Sequence, residues 1–77
     1  MKVISFTQDN TTKYIKEYKF DITGHTLITT DDINEAWLFP DNEIIPMQCV
    51  LSLIELTFGK VPTAVTSVTR VTNMVVE

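Results

Sequence analysis

Between Asp41 and Gly59 apolar residues recur at helical spacing, and nowhere else in the chain is that period sustained. Set at 100° per residue, Met47, Cys49, Val50, Leu51, Leu53, Ile54, Leu56 and Phe58 cover roughly 220° of the circumference, with Gln48, Ser52 and Glu55 on one narrow polar stripe. A helix lying on a single sheet hides a face of about 100° to 140°, so the flanks carrying Cys49, Leu53 and Leu56 need cover from elsewhere. Gly59 followed by Lys60 marks the C-terminal stop, because glycine tolerates positive φ and a cation suits the negative helix end. At the other end Asp41 or Asn42 is the expected cap. Pro46 lacks an N–H, which implies either a kink or a helix that begins at Pro46 itself.

The rest of the pattern is extended. Residues 2–7, K-V-I-S-F-T, form a first strand that ends at the polar cluster Gln8 to Thr12, a hairpin loop. From Lys13 to Phe20 the chain alternates, and Tyr14, Tyr18 and Phe20, together with Lys16, are assigned to the core face, against Lys13, Ile15, Glu17 and Lys19. A turn at Asp21 to His25, with Gly24 supplying positive φ, leads to a third strand at Thr26 to Thr30. Asp32 to Ala36 then reads as a single helical turn: Asp32 accepts from the Glu35 amide, the Glu35 carboxylate reaches back, and Ala36, Trp37 and Phe39 anchor the turn. Val61 to Glu77 holds six valines and four threonines in seventeen residues and is expected to be β structure, with a break or bulge near Ser67 to Arg70. Its valines at every third or fourth position leave a helix as the alternative. The expected fold is therefore α+β, a small antiparallel sheet of about four strands in the order β-β-β-turn-α-β with one helix on a face, in one domain spanning 1–77.

Length and charge sharpen this picture. A single core in a 77-residue chain rarely yields more than about 3 to 5 kcal/mol without a staple. One cysteine excludes an intrachain disulfide, and one cysteine with one histidine cannot supply a structural zinc site. Self-association is the remaining route, which the wide apolar arc requires independently; a homodimer or higher oligomer through Cys49, Leu53 and Leu56 is expected. The formal charge is −4, and no Lys or Arg occurs between Phe20 and Gly59, where seven acids lie. That distribution is opposite to the cationic face a phosphate backbone requires, so direct nucleic-acid binding is not expected. Neither a leader pattern nor an apolar run of about 18 residues is seen, and a cytoplasmic, non-membrane protein is expected.

Candidate chemistry is sparse. His25 stands in a turn with no nucleophile or carboxylate that spacing can place beside it, so an exposed turn histidine is preferred over a general base. Cys49 is read as a small buried hydrophobe, with a helix-start nucleophile and a self-association contact as its alternatives. Asp31, Asp32, Glu35, Asp41 and Glu43 lack the central glycine of a calcium loop and serve as caps and solubility; the sharper reading presents Asp31, Asp32 and Glu35, with Trp37 beside them, to a basic protein surface. Trp37, Phe39 and Pro40 are read first as a core anchor. With two glycines in the chain there is no phosphate loop or nucleophile elbow, and neither an enzyme nor a cofactor or metal site is expected.

The run T-T-D-D-I-N-E-A-W-L-F-P at 29–40, preceded by Tyr14-Ile15-Lys16, resembles the small uncharacterised proteins of temperate phages and prophages of Gram-positive bacteria. The resemblance implies a hairpin, an acidic turn, a helix and a Val-rich last strand, a bacterial host cell, and a binding role without catalytic residues. This chain departs from the pattern in its helix, where an apolar run with Pro46 replaces a sequence rich in Glu, Lys and Ala. The expected function is a non-enzymatic accessory protein that self-associates through the helix and binds a host or phage protein. The alternatives are an acidic nucleic-acid mimic that blocks a DNA- or RNA-binding protein, and a small enzyme or ligand-binding domain using His25.

Overall fold

A computed structural model describes residues 1–70 and 74–76, with the side chains of Phe20, His25, Arg70, Met74 and Val75 outside the described set. The elements are β1 (Lys2–Gln8), β2 (Thr11–Asp21), β3 (Gly24–Thr30), a 3-10 turn (Ile33–Glu35), α1 (Ile44–Phe58), β4 (Thr63–Arg70) and β5 (Met74–Val76). They form an antiparallel sheet in the order β3-β2-β1-β4-β5 with α1 across one face, the expected α+β arrangement with a short fifth strand at the edge.

β1 is the central strand, and its sequence shows why. Val3, Ile4, Ser5 and Phe6 are all buried, so the strand is covered on both faces and its apolar residues run together instead of alternating. On the helix side Ile4 and Phe6 join Ile15, Phe39, Met47, Val50 and Ile54 in the main core, and the Phe6 and Phe58 rings stack 4.6 Å apart. On the other side Val3, Ala36 and Val68 form a smaller core flanked by Tyr14, Ile33 and Leu38.

The hairpin between β1 and β2 is tighter than the polar cluster suggests. Asp9 and Asn10 alone make the turn, with φ of 53° and 63°, a left-handed pair that suits the twist of the strands and that Asp and Asn tolerate. At the next turn Gly24 has φ of 131°, the positive value expected of it.

β2 overturns the face assignment. Its pairing with β3 shifts register between Ile15 and Glu17, so Lys16 is an extra residue in the ladder. A one-residue shift exchanges faces: Ile15 is fully buried in the helix-side core, Tyr14 turns to the opposite cluster, and Tyr18 beyond the bulge returns to the helix side. Tyr14 and Tyr18 therefore do not share a face.

The bulge also lets β2 part from β1. The two pair only through Ser5–Gln8, and beside Lys2 the place is taken by Phe39, each N–H donating to the other carbonyl at 2.8 Å. The Trp37 N–H donates to the Ile15 carbonyl at 2.8 Å. Ala36 to Phe39 thus behaves as a wedge of strand, with Ala36 and Leu38 on one side and Trp37 and Phe39 on the other. The expected anchoring by Ala36, Trp37 and Phe39 is found, and it delivers the chain from one face of the sheet to the other immediately before α1.

Capping differs in detail from expectation. The Asp32 carboxylate accepts from the Asn34 N–H at 2.9 Å while the Glu35 N–H donates to the Asp32 backbone carbonyl at 3.0 Å, and the Glu35 carboxylate accepts from the Thr30 hydroxyl at 2.8 Å instead of reaching back to Asp32. Glu35 is the third residue of the turn, but the 3-10 bond already commits its N–H to the Asp32 carbonyl, which leaves the Asn34 amide for the Asp32 carboxylate. At α1 the cap position falls to Glu43, without a side-chain hydrogen bond, and Asp41 instead pairs with the N-terminal ammonium at 3.0 Å. Pro46 is the third residue of the helix, within the first turn where amides have no intrahelical partner, so its missing N–H removes no helical hydrogen bond and it does not begin α1. Gly59, with φ of 83°, ends the helix as expected. In the last segment β4 runs unbroken as a strand through the break expected near Ser67 to Arg70, and β5 follows from Met74; the valine at position 71 lies outside the described residues.

Candidate interaction surface

The inner face of α1 carries Met47, Val50 and Ile54, all buried, with Leu51 and Phe58 partly buried beside them. The opposite face is also apolar. Ile45 is 73% exposed and Leu56 is 82% exposed, while Cys49 between them is an exposed free thiol. On a helical wheel Ile45, Cys49 and Leu56 fall within roughly 40° of one another and roughly 150° from the mean direction of the buried trio. Leu53 lies between the two faces and is half-buried. The burial expected for Cys49 is therefore not found: the sheet covers one side of α1, and Cys49 points away from it.

The outer face is not flat. Ile45, Gln48, Cys49, Ser52 and Leu53 line a hollow of about 420 Å³ that Tyr18 of β2 closes on one side. Tyr18 reaches it because the Lys16 bulge has turned the second half of β2 toward α1. A second hollow of about 340 Å³, between the end of α1 and the start of β4, includes Glu55 and Lys60 in its lining. Glu43 and Asp41 stand exposed at the N-terminal end of α1, and Lys60 is exposed just past its C-terminal end.

The acidic cluster is brought together, but with bases. Lys13 pairs with Asp31 at 2.6 Å and Lys16 with Glu35 at 3.9 Å, while Asp32 caps the 3-10 turn. Trp37, half-buried, lies against Phe39 at 4.4 Å between ring centres and packs on the main core. His25 belongs to β3, opposite Phe20, and not to a turn; its side chain lies outside the described residues. Asp21 spends its carboxylate on the turn, accepting from the Thr23 hydroxyl and from the Thr23 N–H at 2.8 Å. Those bonds hold its carboxyl below the usual carboxylate range, and the hydrogen bond from the N-terminal ammonium does the same for Asp41. Among the described residues no group of three or more His, Cys, Asp or Glu is placed to hold a metal ion, and no helix is long and apolar enough to cross a membrane.

Sequence reasoning marked Cys49, Leu53 and Leu56 but passed over Ile45, Gln48, Ser52 and Tyr18 as parts of one surface. Ile45 was legible: it stands four residues before Cys49 and eleven before Leu56, a repeat lost when the helix is started at Pro46. Tyr18 was not, because its orientation depends on the bulge.

No protein-family model matches this chain, no curated protein matches its sequence, and no solved structure matches its fold.

Proposed function

We propose that this chain is a non-enzymatic interaction protein that self-associates through the outer face of α1. The observation that supports this reading is the exposed stripe of Ile45, Cys49 and Leu56, set directly opposite a helix face that is already fully used. Covering a large aliphatic side chain is worth about 1.5 to 3 kcal/mol, and a domain of this size has few other sources of stability. Two such residues on one solvent-facing stripe are a substantial apolar surface for a helix of four turns. In the bacterial host setting that the 29–40 motif implies, the assembled protein binds a host or phage protein.

The acidic-mimic reading gains less support, since Lys13 and Lys16 offset Asp31 and Glu35 at short range. Multi-angle light scattering between about 1 and 100 µM tests the proposal. A mass that rises with concentration toward at least twice the chain mass is expected, and a monomer throughout would refute it.

A further inference from the structure

We propose that two copies of this chain pair antiparallel along α1, the Leu56 side chain of each seated in the hollow of the other. The inference rests on self-association through α1 and adds to it an orientation and a register.

The shape of the hollow is the first ground. Ile45, Gln48, Cys49 and Ser52 stand at i, i+3, i+4 and i+7, the four-residue diamond into which one side chain from a facing helix inserts. Tyr18 and Leu53 deepen it on the flanks. The second ground is what fills it. Leu56 is the most exposed large side chain on α1 and lies on the same stripe, yet it stands about 11 Å along the axis from the centre of the diamond. A rigid helix cannot fold Leu56 back into its own hollow, so a Leu56 that enters comes from a second molecule. Two-fold symmetry then makes both insertions at once, and the axis passes close to Ser52, whose small side chain lets the helices approach.

Charge decides the orientation. Asp41 and Glu43 stand at the N-terminal end of α1 and Lys60 at the other, so antiparallel copies bring Lys60 of each near Glu43 of its mate. Parallel copies would place Glu43 beside Glu43, Glu55 beside Glu55 and Lys60 beside Lys60, align the helix dipoles, and set hollow against hollow with Leu56 against Leu56. The antiparallel pair fills both hollows and matches both ends.

Oxidative cross-linking reads the register directly. In the antiparallel pair the two Cys49 residues are offset by about 10 Å along the axis, beyond the reach of a disulfide, whereas residues 52 are offset by only about 1 Å. At tens of micromolar under a copper oxidant, the native chain is expected to stay largely uncross-linked, and a Cys49→Ser, Ser52→Cys chain to form covalent dimer rapidly. Both positions are exposed, and a circular-dichroism melt establishes that the variant folds. Comparable cross-linking through native Cys49 would overturn the arrangement in favour of parallel helices. Dimers by light scattering with no cross-link at position 52 would overturn it in favour of another surface, and a monomer would remove the underlying self-association instead. As an independent check, Glu43→Lys and Lys60→Glu are each expected to weaken dimerisation by about two- to fivefold, and the double reversal to restore it. Failure of restoration would count against the antiparallel pairing.

Discussion

The two faces of α1 have nearly the same composition and opposite surroundings. Met47, Val50 and Ile54 meet Ile4, Phe6, Ile15 and Phe39 across the sheet, and all seven are buried. Ile45, Cys49 and Leu56 are exposed, with only Tyr18 of β2 closing one side of the hollow that Ile45 and Cys49 line. Hydrophobicity alone does not separate the faces; what separates them is that one sheet can cover only one side of a cylinder. The inner face makes the monomer, and the outer face, on the reading advanced above, makes the assembly.

The sharpest break of that comparison is at Ile54, which is fully buried. Ile54→Ala is expected to cost about 2 to 5 kcal/mol, the order of the whole stability of a domain this small, so urea titration should find the variant largely unfolded at any concentration. Leu53 sits between the faces, and Leu53→Asp should both lower the melting temperature and weaken assembly, because the carboxylate is half-buried in the monomer. Leu56→Asp should separate the two effects: an unchanged far-ultraviolet spectrum and dilute-solution melt, with assembly lost.

Smaller effects belong to polar groups. Glu55→Ala exposes nothing new and should change the urea midpoint by no more than about 0.5 kcal/mol equivalent. At acid pH the sign follows from the depressed carboxyls of Asp21 and Asp41. A carboxyl whose folded pKa lies below its unfolded value contributes stability above the unfolded pKa, near 4, and loses it as pH falls through the folded value. Asp21→Asn and Asp41→Asn should therefore lower the melting temperature slightly at neutral pH and leave it unchanged well below about pH 4, flattening the acid limb between; the effect is small because both groups are exposed.

The fold was legible wherever the chain states its period plainly. α1 shows its length through Gly59 and its excess of apolar surface through the 220° arc, and the strands show theirs through β-branched residues between polar turns. What stayed hidden depends on partners distant in sequence. Nothing in K-Y-I-K-E-Y says that Lys16 is extra, since a bulge is visible only against the neighbouring strand. With it went the face of Ile15, the orientation of Tyr18, and hence the wall of the hollow beside α1. The wedge of Ala36 to Phe39 was half-legible: its apolar residues announced an anchor, but a strand-like insertion between β1 and β2 requires the gap that the bulge opens. Capping was misread for a local reason, since a 3-10 turn brings the second amide, not the third, to the Asp32 carboxylate.

The central claim is that the outer face of α1 is an association surface and not a misassigned part of the monomer core. Sedimentation equilibrium on the native chain and on Leu56→Asp at matched concentrations, with circular dichroism on the same samples, tests it most directly. A concentration-dependent dimer is expected for the native chain and a folded monomer for Leu56→Asp. A native monomer, or a Leu56→Asp chain that unfolds or still dimerises with native affinity, would contradict it.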